Sequence, residues 1–385
     1  MTGSILLQFS AIPDPRRDRG RRHKLIDVMT IAVLAVICGA ETWSDMEDFG
    51  EGTEAWLKTF LALPHGIPSQ DTFGEVFAAL DPIAFEAAFR AWTLSVAGEL
   101  SGVLAIDGKT IRRSFDAATG KSAVHMVSAW AADNGVVFGQ IAVKDKSNEI
   151  TAIPALLSLL KIKGLIVTID AIGCQKKIAR QIVEQRGDYL LAVKENQPTL
   201  HSDIKNMFEW AEKRDFVGLK HSHSEETNKG HGRIETRRAS VLWDLGQITG
   251  VDQWMGLECI VKVRSQRTMK GSTTSHDRYF ISSIPQRRAV EIAKAARAHW
   301  AVENNLHWVL DVTFGEDSSR VRARHAAENM SRLKRLTINI LNLVPTKRTK
   351  SIKSKRFMAA SSHEFLLKVL EAGLNWPNQS QTTLR

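Results

Sequence analysis

Three acidic residues stand where acids are uncommon. Asp107 lies inside the apolar run Val-Leu-Ala-Ile-Asp-Gly-Lys-Thr-Ile (103–111), and Asp170 closes a second one, Leu-Ile-Val-Thr-Ile-Asp (165–170). Aspartate is among the residues most depleted from strands, so each asks for a reason. Glu303 belongs to a helical pattern, Arg-Ala-His-Trp-Ala-Val-Glu-Asn-Asn-Leu-His-Trp-Val-Leu (297–310), in which Trp300, Glu303, His307 and Leu310 recur at helical spacing. A carboxylate turned toward a core has to be neutralised, paired or bound to metal. Taken one at a time, each acid has a plain explanation as a turn former or ion-pair partner, Arg297 being at hand for Glu303. Taken together, three carboxylates arriving from two strands and a helix make an oxygen-rich pocket suited to Mg²⁺ or Mn²⁺. Two such ions, about 3.5–4 Å apart, can activate water or a 3′-hydroxyl and stabilise the leaving oxygen of a phosphodiester.

A rival arrangement uses the helix alone. His299, Glu303 and His307 fall at i, i+4 and i+8, a spacing that could hold a transition metal on one face and serve a hydrolase unrelated to DNA. Two strand carboxylates with no histidine near them favour the harder ion. Three further acids lie close to Glu303 in sequence. Asp311 is eight residues on, about 80° further around an α-helix and about 12 Å further along it, too far to share one metal pair. Glu316 and Asp317 follow Gly315, a helix terminator, and are expected to cap or to pair with Arg320 and Arg322.

Basic residues could hold the phosphates. Lys109, Arg112 and Arg113 follow the first acid and read equally well as phosphate ligands or as a solvated basic edge. Arg16, Arg17, Arg19, Arg21, Arg22 and Lys24 form a proline-broken N-terminal arm that fits DNA-end recognition. His231-Gly-Arg233-Ile-Glu-Thr-Arg-Arg238 could grip DNA or be a charged hairpin, and Asn148 with Glu149 could support the acids from behind.

The surrounding pattern must place these side chains. Helical periodicity recurs near 25–39, 43–62, 70–79 and 83–98, punctuated by Pro64, Pro68 and Pro82, with Ser69 and Asp81 as N-caps. From Val103 the period becomes that of strands: 103–111, 124–132 and 136–143, the last two joined at Asp133-Asn134-Gly135, a hairpin signal. A helix over 153–162, the strand ending at Asp170, a helix over 174–186, the strand 189–193 and a helix after Pro198 follow. This order predicts an α/β fold with a mixed sheet, in which the strands of Asp107 and Asp170 lie side by side and present both acids at one edge. Residues 215–285 hold short strand-like pieces between charged connectors and predict a β-rich insertion packed beside the core. Two long helices, about 287–312 and 325–343, a basic linker over 346–356 and a last helix over 362–373 complete the chain. The expected division is a helical N-terminal region (1–100), a catalytic core (101–345) and a C-terminal linker and helix (346–385).

Composition narrows the class. With 43% hydrophobic and 24% charged residues among 385, the chain can bury a sizeable core. A net charge of +10 favours a polyanionic partner. The apolar run 29–40 is far short of the roughly 20 residues that span a bilayer, so no membrane role is expected. Cys38, Cys174 and Cys259 are too scattered for a metal knuckle and suit a reducing, cytoplasmic compartment.

The stretches Ala-Ile-Asp107-Gly-Lys-Thr, Lys146-Ser-Asn-Glu-Ile-Thr-Ala-Ile-Pro, Thr-Ile-Asp170-Ala-Ile-Gly-Cys-Gln and Arg-Ala-His-Trp-Ala-Val-Glu303-Asn-Asn-Leu-His-Trp-Val-Leu-Asp resemble the ISAs-type insertion-sequence transposases, which include the H-repeat-associated proteins of the DDE superfamily. The similarity runs along nearly the whole chain, Gly66-Ile-Pro-Ser-Gln-Asp-Thr-Phe included. The resemblance implies a ribonuclease-H-like core with a β insertion between the second and third acids, and DNA cleavage and strand transfer by two metal ions, Mg²⁺ with Mn²⁺ as substitute. Its three carboxylates fall on Asp107, Asp170 and Glu303. A Tyr and an Arg ahead of the third acid and a Lys after it are common in the wider group; here the matching positions are Ala296, His299 and Leu310, with Arg297 beside them. Implied partners are double-stranded DNA, as element terminal inverted repeats and target, and further copies of the chain when synapsed. The protein would work in the cytoplasm, at the nucleoid when bound to DNA. A catalytically silent DNA-binding remnant is the alternative.

Overall fold

The computed structural model describes residues 5–374 apart from 19–20, 116–119, 121, 144–148, 231 and 286–288. Its centre is one mixed sheet. Strands β1 (Val103–Thr110), β2 (His125–Ala131) and β3 (Val136–Val143) form an antiparallel meander, and β4 (Ile166–Ile169) and β5 (Asp188–Val193) add in parallel on the other side of β1. The fold is the expected ribonuclease-H-like α/β arrangement, with β1 and β4 adjacent. The hairpin expected at Asn134-Gly135 forms, but as a four-residue loop over 132–135 in which Gly135 alone takes a positive φ, 67°.

The sequence expectation fails for residues 215–285, which do not pack beside the core as a separate unit. Strands β6 (His221–Gly230), β7 (Arg233–Leu242), β8 (Cys259–Met269) and β9 (Ser272–Ser282) continue the central sheet, giving nine strands among the described residues in the order β3-β2-β1-β4-β5-β9-β8-β7-β6. The reason is an unfilled edge. β5 would otherwise present a row of unpaired N–H and C=O groups, and β9 pairs with it from Leu190↔Ser282 to Val193↔Tyr279. The inner halves of β7, β8 and β9 are buried and read as strands in the sequence; their outer halves and the whole of β6 have no buried face, so no alternation marks them.

Helices cover both faces. On one side α7 (Glu149–Ser158), α8 (Lys176–Glu184) and α9 (Pro198–Glu212) cover Leu104, Ile106, Val127 and Leu191. On the other lie α10 (Ala289–Val302), packed on Val103, Leu190, Val261 and Phe280, and α11 (Ala326–Leu343), packed with Ala105 and Val137. The N-terminal helices join that second core. Among them α2 (Leu25–Cys38) is apolar all round because it is enclosed all round, and α5 (Gln70–Ala79) and α6 (Pro82–Ala97) begin at the caps Ser69 and Asp81. Among the described residues no single helix is long and apolar enough to cross a membrane.

Two helical expectations need correction. α10 does not run as one α-helix to 312: it stops at Val302 and widens into π-helical turns over Glu303–His307 and Val309–Thr313. The basic linker is half helix, since α12 spans Ile352–Ser361, and two of its bases are buried. Lys355 Nζ donates to the carbonyls of Leu341 (2.6 Å) and Val344 (2.9 Å), and Arg356 donates to Val36 O (3.0 Å), so these charges bind carbonyls near helix ends. α13 (His363–Leu374) closes the described chain.

Candidate active site

Register fixes the first two acids. Ile106 pairs with Ile169 across parallel β1 and β4, so the next residues, Asp107 and Asp170, stand side by side. Alternation turns Asp107 to the face of Val103 and Ala105, which is the face covered by α10 and α11. The Asp170 carboxylate also accepts from Ile172 N (3.1 Å), capping the turn that ends β4.

The widened helix brings the third acid and a histidine. His307, buried, places Nδ1 3.5 Å from Glu303 Oε2 and 3.7 Å from Asp107 Oδ2. Ligand atoms of Asp107, Glu303 and His307 all lie within 4.8 Å of one another. Glu303 does not sit on a buried stripe as its spacing suggested: its side chain is 67% exposed. The π turns change the phase of the helix, so Leu306, His307, Val309 and Leu310 go inward while Glu303 stays at the rim. Burial, with Asp170 and Glu303 as like charges, pushes Asp107 up to about 6 against the pull of His307 and the Gly108 N–H. The hydrogen bond from His307 leads in holding Glu303 below its usual value. Such a strained acidic group beside a nitrogen donor suits a divalent cation, and carboxylate–carboxylate repulsion is what a cation would relieve.

The all-helix metal site does not form among the described residues. His299 turns away to Thr168, Nδ1 to Oγ1 3.1 Å, and burial holds its imidazole down at about 4. His307, undervalued by the sequence reading, joins the carboxylates, so the premise that no histidine lies near them is corrected. Its signal was present as the i+4 partner of Glu303; the π turns give it its position.

Lys109 is not a free phosphate ligand. It is 8% exposed, and Nζ meets Asp311 Oδ1 (2.7 Å), Asp317 Oδ1 (2.8 Å) and Glu316 Oε2 (3.5 Å). Burial works against the ammonium, yet Glu316, Asp311 and Asp317 hold it above its usual value. The three acids near Glu303 thus gather on Lys109, and Asp317 pairs with Arg112 as well. Glu316 is also bound by Arg335 Nη1 (2.8 Å) and Ser331 Oγ (2.8 Å); burial would raise its carboxyl, but Arg335, Lys109 and Lys334 take it down to about 2. Arg335, fully buried, reaches on to Ser128 Oγ (3.2 Å), the residue paired with Asp107 on β2. None of this network was visible in the sequence.

Behind the site, His125 on β2 meets Glu149 (Nε2 to Oε1, 2.5 Å) and Thr110 (Nδ1 to Oγ1, 2.8 Å). Both partners of the pair are buried beneath Gly108: a Cβ there would fall 2.3 Å from His125 Nε2 and 2.4 Å from Glu149 Oε1. Glu149 therefore packs with His125 beneath β1; Asn148 lies outside the described residues.

The other basic candidates vary. Arg112 is 80% exposed and pairs with Asp317 (3.1 Å), and Arg113 is exposed. Arg16 is folded onto Asp14 (2.8 Å) and His23 O (2.7 Å), and Arg21 pairs with Asp18 (3.1 Å), whereas Arg17 and Arg22 are exposed. Arg19 and His231 lie outside the described residues. Arg233 pairs with Glu235 (2.8 Å).

Known proteins share long stretches of this chain. Residues 99–340 match the transposase DDE domain family, and residues 6–93 match the DDE_Tnp_1-associated family. YncI of Escherichia coli O157:H7 is 43% identical over 343 residues, covering 88% of this chain and 87% of its own, and the H repeat-associated protein YhhI of Escherichia coli strain K12 is 40% identical over 344 residues, covering 88% and 90%; both bear provisional transposase names. A piggyBac transposase synaptic complex with hairpin DNA has a TM-score of 0.41 at 10% identity, covering 96% of this chain and 79% of that one, a likeness too slight to carry weight. A catalytic-domain match spanning the strands of Asp107 and Asp170 and the turns of Glu303 identifies the chain as a member of the DDE transposase family.

Proposed function

We propose that this transposase cuts and joins DNA strands with two divalent ions held by Asp107, Asp170 and Glu303, Mg²⁺ being the natural ion and Mn²⁺ a substitute. The observation that carries the reading is the meeting of Asp107 with Glu303 and His307 beside Asp170, where β4 ends and open to solvent through Glu303. When bound, the ions supply the charge that activates water or a 3′-hydroxyl and stabilises the leaving oxygen. The chain's own residues hold the geometry. Gly108 N–H donates to Asp107 Oδ1 (2.9 Å), Ile172 N–H to Asp170, and His307, 3.5 Å from Glu303 Oε2, favours the charged form of that carboxyl. Lys109 keeps Asp311, Glu316 and Asp317 out of the metal group. The DNA is double-stranded, presented as the element's ends and the target, and a synapsed pair of ends brings two or more copies of the chain together.

The test uses purified full-length protein and a duplex carrying the element's end. Glu303→Gln, Asp107→Asn and Asp170→Asn should each abolish cleavage and strand transfer while keeping end binding. Asp317→Asn should still cut. Activity should appear with Mg²⁺ or Mn²⁺ and not with Zn²⁺ alone. Normal cutting by Glu303→Gln with none by Asp317→Asn would overturn the assignment of the third acid. Wild-type binding with no cleavage in any metal would make the protein a silent remnant.

A further inference from the structure

One row beyond the carboxylates, the same face of the sheet carries two cations, Lys194 and Arg278, with no acid paired to them among the described residues. The row of Asp107 and Asp170 continues in register through Ala192 on β5, which pairs with Phe280 on β9. Two residues further out on that face come Lys194, just past β5, and Arg278 on β9, both exposed. Among the described residues Arg278 has no hydrogen bond or ion pair; its guanidinium lies over the Trp300 ring, 4.2 Å from the centroid. Trp300 is one helical turn ahead of Glu303.

Several bases of the neighbouring elements are spoken for. Arg264 and Lys262 are held by Asp277 (2.8 and 3.0 Å), Arg233 is held by Glu235 (2.8 Å), and Arg237 and Arg297 pair with Glu235 and Glu226. Arg278 is kept flat and unpaired instead. An aromatic platform under a guanidinium leaves its edge N–H groups free, and that planar fork matches the oxygens of a phosphate two at a time. With strands about 4.8 Å apart and about 3.4 Å per residue, the Arg278 backbone stands about 12 Å from that of Asp170, outward from the site. A DNA strand has one phosphate per roughly 3.4 Å of helix axis, so a strand gripped by the carboxylates passes Arg278 within a few nucleotides.

We propose that Arg278, laid on Trp300, binds a backbone phosphate of the DNA strand a few nucleotides from the bond that the carboxylates hold. The proposal rests on the reading of Asp107, Asp170 and Glu303 as the cutting site. Lys194 adds a second charge on the same path.

The experiment measures binding of full-length protein to a fluorescent end duplex across a salt series, with cleavage followed in parallel. Arg278→Gln should weaken binding about tenfold and reduce the log–log salt slope by about 0.9, one phosphate's share. Arg278→Lys should restore the slope while recovering part of the affinity, and Trp300→Leu should weaken binding with the slope retained. Asp107→Asn should keep slope and affinity and lose cleavage. If Arg278→Gln binds with unchanged slope and affinity while Asp107→Asn has lost cleavage, the phosphate site is wrong and the cutting site stands. If Asp107→Asn cuts normally while Arg278→Gln flattens the slope, the phosphate contact stands and the cutting site is wrong. Arg278 is exposed, so thermal unfolding of both Arg278 variants should match the wild type; a large loss of stability in both would make Arg278 structural and overturn the proposal.

Discussion

His307 Nδ1 stands 3.7 Å from Asp107 Oδ2 and 3.5 Å from Glu303 Oε2, so one buried imidazole joins the sheet acid to the helix acid. Its removal should loosen Glu303 without unfolding the protein. His307→Ala should lower cleavage about 10–100-fold, the range for partners that orient a metal site, and raise the Mn²⁺ concentration needed for half-maximal cleavage. A variant with unchanged metal dependence would leave His307 a packing residue.

Gly108→Ala should be far worse than an exposed Gly-to-Ala change. The new Cβ would collide with His125 and Glu149, both enclosed, and overpacking of this kind destabilises by about 1–3 kcal/mol. Denaturant unfolding should read that loss, and cleavage should fall with it because β1 carries Asp107. Wild-type stability in this variant would mean that the pair beneath β1 yields freely.

Lys109→Met should destabilise the protein by about 3–5 kcal/mol, the scale for breaking a buried pair from one side, since it strands Glu316, Asp311 and Asp317 around an apolar tip. Its effect on DNA binding should be small, because the Lys109 charge is already matched by acids. A lowered salt slope with unchanged stability would instead make Lys109 a phosphate ligand.

Glu316 gives the fold an acid limit. Its carboxyl, ordinarily near 4.5, titrates at about 2 in the fold, so the folded state binds the proton less readily than the unfolded one. The contribution, about 3 kcal/mol from a shift of this size, is fully present above pH 4.5 and is lost as pH falls from there through about 2. The stability gap between wild type and Glu316→Gln, measured by urea unfolding, should therefore narrow below pH 4.5. A gap that stays constant to pH 3 would contradict the paired-carboxylate account.

The N-terminal arm should act through its free arginines. Arg16 is tied to Asp14 and to His23 O, whereas Arg17 and Arg22 are exposed. Replacing Arg17 and Arg22 together should flatten the salt dependence of end binding by up to about 1.8, at about 0.9 per phosphate, and Arg16→Ala should disturb the arm's stability more than its slope. An unaltered slope in the double variant would remove the arm from DNA contact.

Much of the architecture was legible in the residues. The apolar runs ending in acids, the strand–helix alternation after Val103 and the caps Ser69 and Asp81 are local patterns, and local patterns report which side of an element is buried. They gave the adjacency of β1 and β4, and with it the pairing of Asp107 with Asp170. β6 was missed because His221–Gly230 is polar throughout: its outer half has no buried face to imprint a period. The place of β6 to β9 in the sheet comes from the open edge of β5, which β9 fills and which no feature of residues 221–282 announces.

What the sequence determined by itself was the identity of the acids and the kind of element that carries each. What the tertiary structure decided was their company. Lys109 and Asp317 lie 208 residues apart yet meet at 2.8 Å, and Arg335 reaches Ser128 across 207 residues; such charges look available in a linear reading and are consumed in the fold. The turn of His307 onto Asp107 likewise depends on π-helical turns that α-helical spacing does not foresee. Periodicity is set by neighbours along the chain, whereas the neutralisation of a buried charge is set by whichever distant segment packing brings within reach, since an unpaired charge cannot stay buried.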